Sequence, residues 1–391
     1  MTERLKDLMH RAVDDLVVPP APSAEVLRHG RAARRHRGYA VVAGAAAAVV
    51  LASGVGFVAV GDDPGRRPGP GVGTGTGTDP NAADPDDAEP TGAVASASGL
   101  RGAVFSVGTT VFLDGGARTA TIDDKAIKSS YYTSAGLLVR HGNNNYSDGG
   151  GPQRFSLVRP DGSVSPVSVV TEETVPGVDA TQPYLAYTEV EDGVVQVVVH
   201  DVATDQEVAR VDLPGDFEWG GWSGPPVALS GDTVYVGTDD VVRTVDWRTG
   251  EVGQTDVVEP PGFLIEGGRT VGREGDDSTV VDVATGETLL SVPAGKHGYL
   301  TLSPDGLFAT LDTGKAFDVY DVGSGDHVSF DGAAYDYGWT PEDDLARLQD
   351  HRVVTCSATT GECRTGSETI PSEGGGTAAD DVRFAGQTFE S

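Results

Sequence analysis

Aromatic side chains next to carboxylates are the most distinctive chemical pattern in this chain. They occur in Phe217-Glu-Trp-Gly-Gly-Trp222 and in Tyr335-Asp-Tyr-Gly-Trp339. Aromatic faces attract cations and stack on sugars or peptide groups, and a neighbouring carboxylate adds charge and hydrogen-bond acceptors. The pattern therefore predicts a ligand site, which we expect at one mouth of a channel through the C-terminal domain. Its residues are Trp219, Trp222, Tyr335, Tyr337 and Trp339. The alternative is that these rings only pack between structural units.

Sequence motifs for catalysis are absent. The chain has no Gly-x-Ser-x-Gly elbow, no His-Glu-x-x-His pair, no P-loop and no EF-hand loop. The histidines after residue 100 are scattered without paired spacing; they are His141, His200, His297, His327 and His351. The sequence thus favours binding over catalysis, and we expect no catalytic residues, no metal site and no cofactor.

Only two cysteines are present, Cys356 and Cys363. They flank Ser-Ala-Thr-Thr-Gly-Glu, which is a turn sequence between two short strands. Facing positions across a hairpin approach disulfide distance, and an extracytoplasmic compartment lets such a bond persist. A zinc site needs further Cys or His ligands nearby, so we expect a disulfide instead.

A hairpin unit recurs along the chain after residue 100. It consists of a β-run ending in Asp, a Thr-Gly-Glu turn and a second β-run, as in Val245-Asp-Trp-Arg-Thr-Gly-Glu251 and Val281-Asp-Val-Ala-Thr-Gly-Glu287. Aspartate can accept hydrogen bonds from the turn backbone, and glycine supplies the positive φ of the reversal. The turn markers are Gly116, Gly162, Asp205, Gly250, Gly286, Gly325 and Gly361.

The spacing of these markers is about 40 residues, which is typical of one four-stranded propeller blade per repeat. Seven markers predict an all-β domain, a single β-propeller of seven blades, with six or eight as alternatives. The last β-run, Val382 to Phe389, is expected to join the first blade near Ala103–Val107 and close the ring.

Two segments resemble known propeller repeats. Gly231-Asp-Thr-Val-Tyr-Val-Gly237, followed by Thr249-Gly-Glu251, is similar to a quinoprotein-type repeat. Ser303-Pro-Asp-Gly306 resembles the turn common in WD40-like and TolB-like blades. The resemblance covers residues 101–391 at the level of fold. It implies a propeller without fixing its function.

An apolar run without charged residues spans residues 38–60. As a helix it would be about 34 Å long, enough to cross a bilayer. The arginines that crowd its N-terminal flank are Arg28, Arg31, Arg34, Arg35 and Arg37. The positive-inside rule therefore predicts a single-pass cell-membrane protein with a cytoplasmic N-terminus and an extracytoplasmic C-terminal domain. The alternative is a cleaved signal peptide.

The segments around this span differ in character. Residues 1–37 form a cytoplasmic arm in which apolar residues at helical spacing predict a short amphipathic helix over residues 3–16. The arm followed by the span resembles actinobacterial membrane proteins found with extracytoplasmic-function sigma factors, which implies a cytoplasmic partner for residues 1–37. Residues 61–100, rich in Pro, Gly, Thr and Asp, predict a disordered linker.

The formal net charge is −31. A chain this acidic repels nucleic acid, so we expect no nucleic-acid partner. Three hypotheses follow for the domain 101–391. It is a membrane-anchored module that binds an extracytoplasmic protein or small ligand, the sensing part of an anti-sigma-like transmembrane regulator, or an enzyme that uses the propeller channel. The missing motifs favour the first.

Overall fold

A computed structural model describes the C-terminal part of the chain, within the compact unit Asn81–Ser391. The described residues are 92–144, 151–172, 174–214, 217, 223–238, 241–258, 264–295, 298, 300–312, 316–370 and 382–387. The predicted cytoplasmic arm and membrane span, and the linker as far as residue 91, lie outside these ranges. Among the described residues, no helix has the length and apolar character needed to span a bilayer.

The described residues form seven four-stranded antiparallel sheets, each of which is one propeller blade. Blade 1 combines β28 with β1–β3, and blades 2 to 7 take the next strands four at a time. The prediction of an all-β propeller with seven blades is confirmed. In chain order the strands are β1 (Phe105–Val107), β2 (Thr110–Leu113), β3 (Arg118–Thr121), β4 (Ala126–Thr133), β5 (Gly136–Gly142), β6 (Gln153–Val158), β7 (Val164–Thr171), β8 (Gly177–Val178), β9 (Tyr184–Glu191), β10 (Val194–Asp201), β11 (Gln206–Leu213), β12 (Val227–Ser230), β13 (Thr233–Gly237), β14 (Val242–Asp246), β15 (Glu251–Thr255), β16 (Ile265–Glu266), β17 (Arg269–Glu274), β18 (Asp277–Asp282), β19 (Thr288–Pro293), β20 (Leu300–Leu302), β21 (Phe308–Asp312), β22 (Ala316–Asp321), β23 (His327–Asp331), β24 (Gly338–Trp339), β25 (Leu345–Gln349), β26 (Arg352–Cys356), β27 (Cys363–Thr365) and β28 (Val382–Phe384).

The ring closes as the sequence predicts. β28 pairs antiparallel with β1, and Phe384 faces Phe105. The Phe105 ring also stacks on Phe112 of β2, with centroids 4.9 Å apart. Closure gives blade 1 its innermost strand, so the first and last parts of the propeller share one sheet.

The core lies between neighbouring blades. In blade 3, β10 is buried along most of its length, whereas the outer strand β11 is largely exposed. Val199 of β10 and Val234 of β13 belong to one apolar cluster between blades 3 and 4, and both are fully buried. Strands buried on both faces lose the alternation of apolar and polar residues, which remains clear only in outer strands such as β7.

The recurrent hairpin is the connection between the third and fourth strands of each blade. In blade 4, Asp246 Oδ1 accepts hydrogen bonds from the backbone N–H groups of Arg248 and Thr249, at 3.0 and 2.9 Å. Gly250 then reverses the chain at φ 75°. The markers fall in seven such connections, here called the hairpin turns: residues 114–117, 159–163, 202–205, 247–250, 283–287, 322–326 and 357–362.

A short helix precedes the first blade. This helix, α1 (Ala93–Ser98), ends at Gly99, whose N–H donates to the Ala95 carbonyl oxygen at 2.9 Å from a left-handed backbone. Val94 and Ala95 are buried, and the Ala95 N–H donates to the Pro341 carbonyl oxygen of blade 7 at 3.0 Å. The folded unit therefore begins before residue 101, because residues 92–100 of the predicted linker pack on the propeller.

Candidate functional site

The connections between the first and second strands of the blades lie near the axis, at the same end as the hairpin turns. Antiparallel strands alternate in direction, so these two sets of loops share one end of the molecule. We call the axial set the inner loops; they comprise residues 134–135, 179–183, 231–232, 267–268, 303–307 and 340–344.

The axis of the propeller is narrow. Its cavity has a volume of about 40 Å³, which is room for a few water molecules. Tyr132, Glu266 and Pro304 from three blades line it, together with Gly386 and Gln387 beyond β28. A Cβ on Gly386 would lie 2.8 Å from Pro304 Cγ, and its φ is +72°, so the C-terminal segment enters the axis through a position that requires glycine.

A larger cavity of about 320 Å³ opens among the inner loops of blades 3 to 6. We call it the acidic pocket. It is lined by Ala93, Asp179, Thr181, Ser230, Gly267, Gly268, Pro304, Asp305 and Leu307. None of these residues is basic, so the polar groups that a ligand in the pocket would meet are carboxylates, hydroxyls and backbone groups.

Hydrogen bonds hold the two aspartates of the pocket in place. Asp179 Oδ1 accepts from the Thr181 N–H and hydroxyl at 2.9 and 2.7 Å, and its Oδ2 accepts from the Gly231 N–H of blade 4 at 2.9 Å. Asp305 Oδ1 accepts from the Ser303 hydroxyl and the Leu307 N–H, at 2.9 and 3.0 Å. Both carboxyl groups are therefore fixed before any ligand binds.

Glu266 adds a third carboxyl group beside this pair. Burial, followed by the charges of Asp179 and Asp305, raises the pKa of Glu266 well above its usual range. The Arg269 Nη1 donates to the backbone carbonyl oxygen of Asp305 at 3.2 Å. The surroundings of Glu266 therefore favour its neutral form where the acidic pocket meets the axial cavity. Among the described residues, no group of three His, Cys, Asp or Glu side chains is placed to hold a metal ion.

The structure places three of the five predicted aromatic residues. Tyr335 is exposed, with 79% of its surface accessible, whereas Tyr337 and Trp339 are 5% and 6% exposed. The Tyr337 ring packs against Phe317 with centroids 4.9 Å apart, and Trp339 stacks on Phe308 at 6.0 Å.

Tyr337 and Trp339 therefore contribute to packing between blades 6 and 7. Trp219 and Trp222 lie outside the described residues. The ligand-binding role of the aromatic set stays a prediction.

The predicted disulfide is confirmed. Cys356 of β26 and Cys363 of β27 face each other across the last hairpin of blade 7, with Cα atoms 4.0 Å apart, and their sulfur atoms are bonded. Both cysteines of the chain are used, because the turn register brings them opposite each other.

The sequence analysis did not anticipate a relay of side chains in blade 2. His141 Nδ1 lies 2.6 Å from Asp124 Oδ2, and His141 Nε2 lies 3.0 Å from Ser156 Oγ. The Arg154 guanidinium donates two hydrogen bonds of 2.9 Å to the Asp124 carboxylate. Burial acts to raise the pKa of Asp124, but hydrogen bonds from His141, the Lys125 N–H and Arg154 outweigh it, and the pKa is lowered.

This order of residues matches that of a Ser-His-Asp relay. However, Ser156 is only 7% exposed, and neither cavity described above reaches it. The relay joins the loop between β3 and β4 to the strands β5 and β6, which favours a structural role. Because its members are separated by 17 and 15 positions on different elements, no local spacing in the sequence signals it.

No family model matches the chain, and no curated protein sequence matches it. Among solved structures, apo AztD from Citrobacter koseri is similar with a TM-score of 0.43 and 13% identity, over 74% of this chain and 98% of that one. TolB from Acinetobacter baumannii has a TM-score of 0.35 and 12% identity, over 74% and 68%. PorZ, a surface component of the type-IX secretion system of Porphyromonas gingivalis, has a TM-score of 0.43 and 13% identity, over 70% and 38%. At these identities the similarity concerns the fold alone.

Proposed function

We propose that this protein is a membrane-anchored extracytoplasmic propeller that binds a positively charged group of a partner protein in the acidic pocket. The observation that carries the proposal is the pocket itself. It is a preformed cavity of about 320 Å³ whose two aspartates are fixed by hydrogen bonds and whose lining holds no basic residue. The fold supports a binding module because it brings loops of several blades together around one opening.

The ligand group that best fits this lining is an ammonium or guanidinium group at the end of a lysine or arginine side chain. Such a group donates several hydrogen bonds and is attracted to clustered carboxylates. The strong negative charge of the whole chain would also speed the approach of a basic partner.

Binding is tested with the full chain purified in detergent micelles and a fluorescent arginine-rich peptide as the probe. We expect Asp179→Asn to weaken binding about tenfold, because one carboxylate charge is lost from the pocket. The matched control is Asp232→Asn, which removes a carboxylate paired with Arg248 at 2.6 Å outside the pocket. Equal affinities for the Asp179 variant and the unchanged chain would contradict the proposed site.

The membrane anchor is proposed from the apolar run at residues 38–60 and the arginines that precede it. Reporter fusions at residues 20 and 391 decide the orientation. We expect activity of a cytoplasmic reporter at residue 20 and of an exported reporter at residue 391. A mature chain that lacks residues 1–52 would support the signal-peptide alternative instead. Capture of a sigma factor by residues 1–37 would support the regulator alternative.

The relay of Asp124, His141 and Ser156 is the specific observation that favours the enzyme alternative. A serine activated in this way reacts with fluorophosphonate probes. Because Ser156 is buried and reached by neither cavity, we expect no labelling of the full chain. Labelling that disappears in Ser156→Ala would replace the binding proposal with a hydrolase.

A further inference from the structure

The short helix α1 adjoins the surroundings of both cavities. Ala93, its first residue, is exposed and lines the acidic pocket. Val94 is 1% exposed and belongs to one apolar cluster with Tyr132 and Ala180, both of which line the axial cavity. Pro304 lines both cavities, so the two are neighbours. α1 therefore stands at the acidic pocket on one side and at the wall of the axial cavity on the other.

Small side chains fasten α1 to the ring. Its sequence is Ala-Val-Ala-Ser-Ala-Ser, in which the valine, Val94, is the largest residue. The Ala95 N–H donates to the Pro341 carbonyl oxygen of blade 7 at 3.0 Å. A helix this short is not stable by itself in water, so the folded form of α1 depends on its contacts with the blades. Its attachment is weak compared with that of a strand, which is hydrogen-bonded along its length.

The chain that follows α1 is anchored more firmly, and a glycine stands at the junction. Gly99 is exposed and has φ +70°. Leu100 is 1% exposed, and the Gly102 N–H donates to both carboxylate oxygens of Glu342 in blade 7, at 3.0 and 3.1 Å. Because glycine lacks a Cβ, Gly99 tolerates large changes of its backbone angles. Such a junction, between a loosely held helix and an anchored segment, suits a hinge.

The N-terminal end of α1 fits closely against the inner loop of blade 7. Gly92, which precedes the helix, has φ +101°. A Cβ at this position would lie 3.1 Å from the Pro341 carbonyl oxygen and 3.3 Å from Asp343 Oδ2. A side chain at residue 92 would therefore press on this loop and hold the beginning of α1 away from it.

We propose that α1 is a lid, which opens about Gly99 and joins the acidic pocket to the axial cavity. In the closed form described above, a ligand in the pocket meets Asp179 and Asp305. When Val94 leaves its cluster, the opening extends towards Glu266 and accommodates a longer ligand. This control of access rests on the binding function proposed above. Because a ligand that reaches the axial cavity binds the open form alone, its apparent affinity rises with the open fraction.

Opening is measured without any ligand, through a thiol introduced into the apolar cluster by Ala180→Cys in the full chain in micelles. Ala180 is 4% exposed, and the two native cysteines are bonded to each other, so a maleimide reports on the new thiol. Adding Val94→Ala removes two buried methyl groups from α1, so we expect labelling to become about tenfold faster. The matched control is Val111→Ala, which truncates a buried valine of the same cluster in β2 and should leave the labelling rate unchanged.

A second variant and hydrogen exchange complete the ligand-free test. Gly92→Ala leaves the apolar cluster intact, but it strains the backbone and presses on blade 7, so it should also speed labelling. It substitutes if the Val94 variant fails to fold. In the unchanged chain, the hydrogen-bonded amides of Ala95 and Gly99 should exchange faster than those of the neighbouring strand β4, because α1 opens without unfolding of the blade.

The consequence for binding is measured separately, with the fluorescent arginine-rich peptide and no introduced thiol. We expect Val94→Ala and Gly92→Ala to bind the peptide up to about tenfold more tightly than the unchanged chain, since both raise the open fraction. Val111→Ala should bind it with unchanged affinity.

Equal labelling rates in the unchanged, Val94→Ala and Gly92→Ala backgrounds would overturn the inference. So would weaker peptide binding by Val94→Ala than by Val111→Ala, because α1 would then be a fixed wall of the pocket. If neither the unchanged chain nor any variant binds the peptide, the proposed function fails, whereas the labelling rates still decide whether α1 opens.

Discussion

The hairpin turns and the inner loops lie at the same end of the propeller, but Asp282 of a hairpin turn and Asp343 of an inner loop have pKa values shifted in opposite directions. In the hairpin turn of blade 5, Asp282 Oδ1 accepts from the N–H groups of Ala284 and Thr285, at 3.0 and 2.8 Å. The hydrogen bond from the Thr285 N–H is the main cause that lowers the pKa of Asp282. In the inner loop of blade 7, burial raises the pKa of Asp343.

The contrast shows that donors and burial, rather than composition, decide what an acidic residue contributes. A turn aspartate is stabilised as an anion by its own backbone and faces water. Asp343 is buried in an inner loop among other acidic residues, and burial favours its neutral form. The formal charge of −31 counts every carboxyl group as ionised, so it overstates the negative charge near the axis.

Glycine gives the largest expected difference between the two regions. Gly267 in an inner loop and Gly250 in a hairpin turn both have positive φ, at +53° and +75°. A Cβ on Gly267 would overlap the Asp305 carbonyl oxygen, so we expect Gly267→Ala to cost about 3 kcal/mol or more. A Cβ on Gly250 meets nothing within 4 Å, so Gly250→Ala should cost only about 1 kcal/mol of backbone strain.

Urea unfolding of the two alanine variants of the full chain measures this difference. Similar losses at both positions would show that the inner loops are no more constrained than the hairpin turns.

A second, smaller effect distinguishes one hairpin turn from the others. In blade 7 the position of the turn aspartate is taken by Ser357, whose hydroxyl accepts a single backbone hydrogen bond from Thr360 at 3.2 Å. The Cys356–Cys363 disulfide closes this turn. Because the bond restricts a short loop in the unfolded chain, we expect its reduction to lower the unfolding free energy by about 2 kcal/mol. Thiol titration confirms reduction, and an unchanged urea midpoint would show that the turn does not need the bond.

The smallest expected effect is the loss of one turn aspartate. Asp282→Ala should cost about 1 kcal/mol at pH 7, because two backbone hydrogen bonds to a carboxylate are lost at a partly exposed site. The lowered pKa makes this contribution fade as the pH falls below about 4. Urea unfolding at pH 7 and pH 3 checks the sign. An equal deficit at both pH values would mean that the charge of Asp282 is not involved.

The hairpin turns were predictable because each is encoded by neighbouring residues. The aspartate and glycine of a turn lie within five positions of each other, so the blade count and the disulfide could be predicted from local patterns, whereas ring closure was predicted from the last β-run. The inner loops could be predicted from the sequence only in part. Ser303-Pro-Asp-Gly306 was recognisable as a turn, but the close approach of its Asp305 backbone to Gly267 joins two blades and leaves no local pattern.

The innermost strands explain why the site itself could not be predicted. β8, β16 and β24 are two residues long, which is too short for any periodicity. The acidic pocket draws its carboxyl groups from Asp179 and Asp305, whose proximity depends on the ring as a whole. The aromatic residues were visible as clusters, but spacing alone does not separate packing, as at Tyr337, from exposure, as at Tyr335.

The pairing of β28 with β1 has a consequence for biogenesis. A ribosome makes the strands of blade 1 early and their innermost partner last, so blade 1 waits with an open hydrogen-bonding edge until almost the whole propeller has been synthesised. Contacts this distant in sequence form slowly, and the intermediate that awaits them can pair with other chains. Loss of a few residues near Val382 would therefore reduce the yield of soluble protein more than the small area of that strand implies.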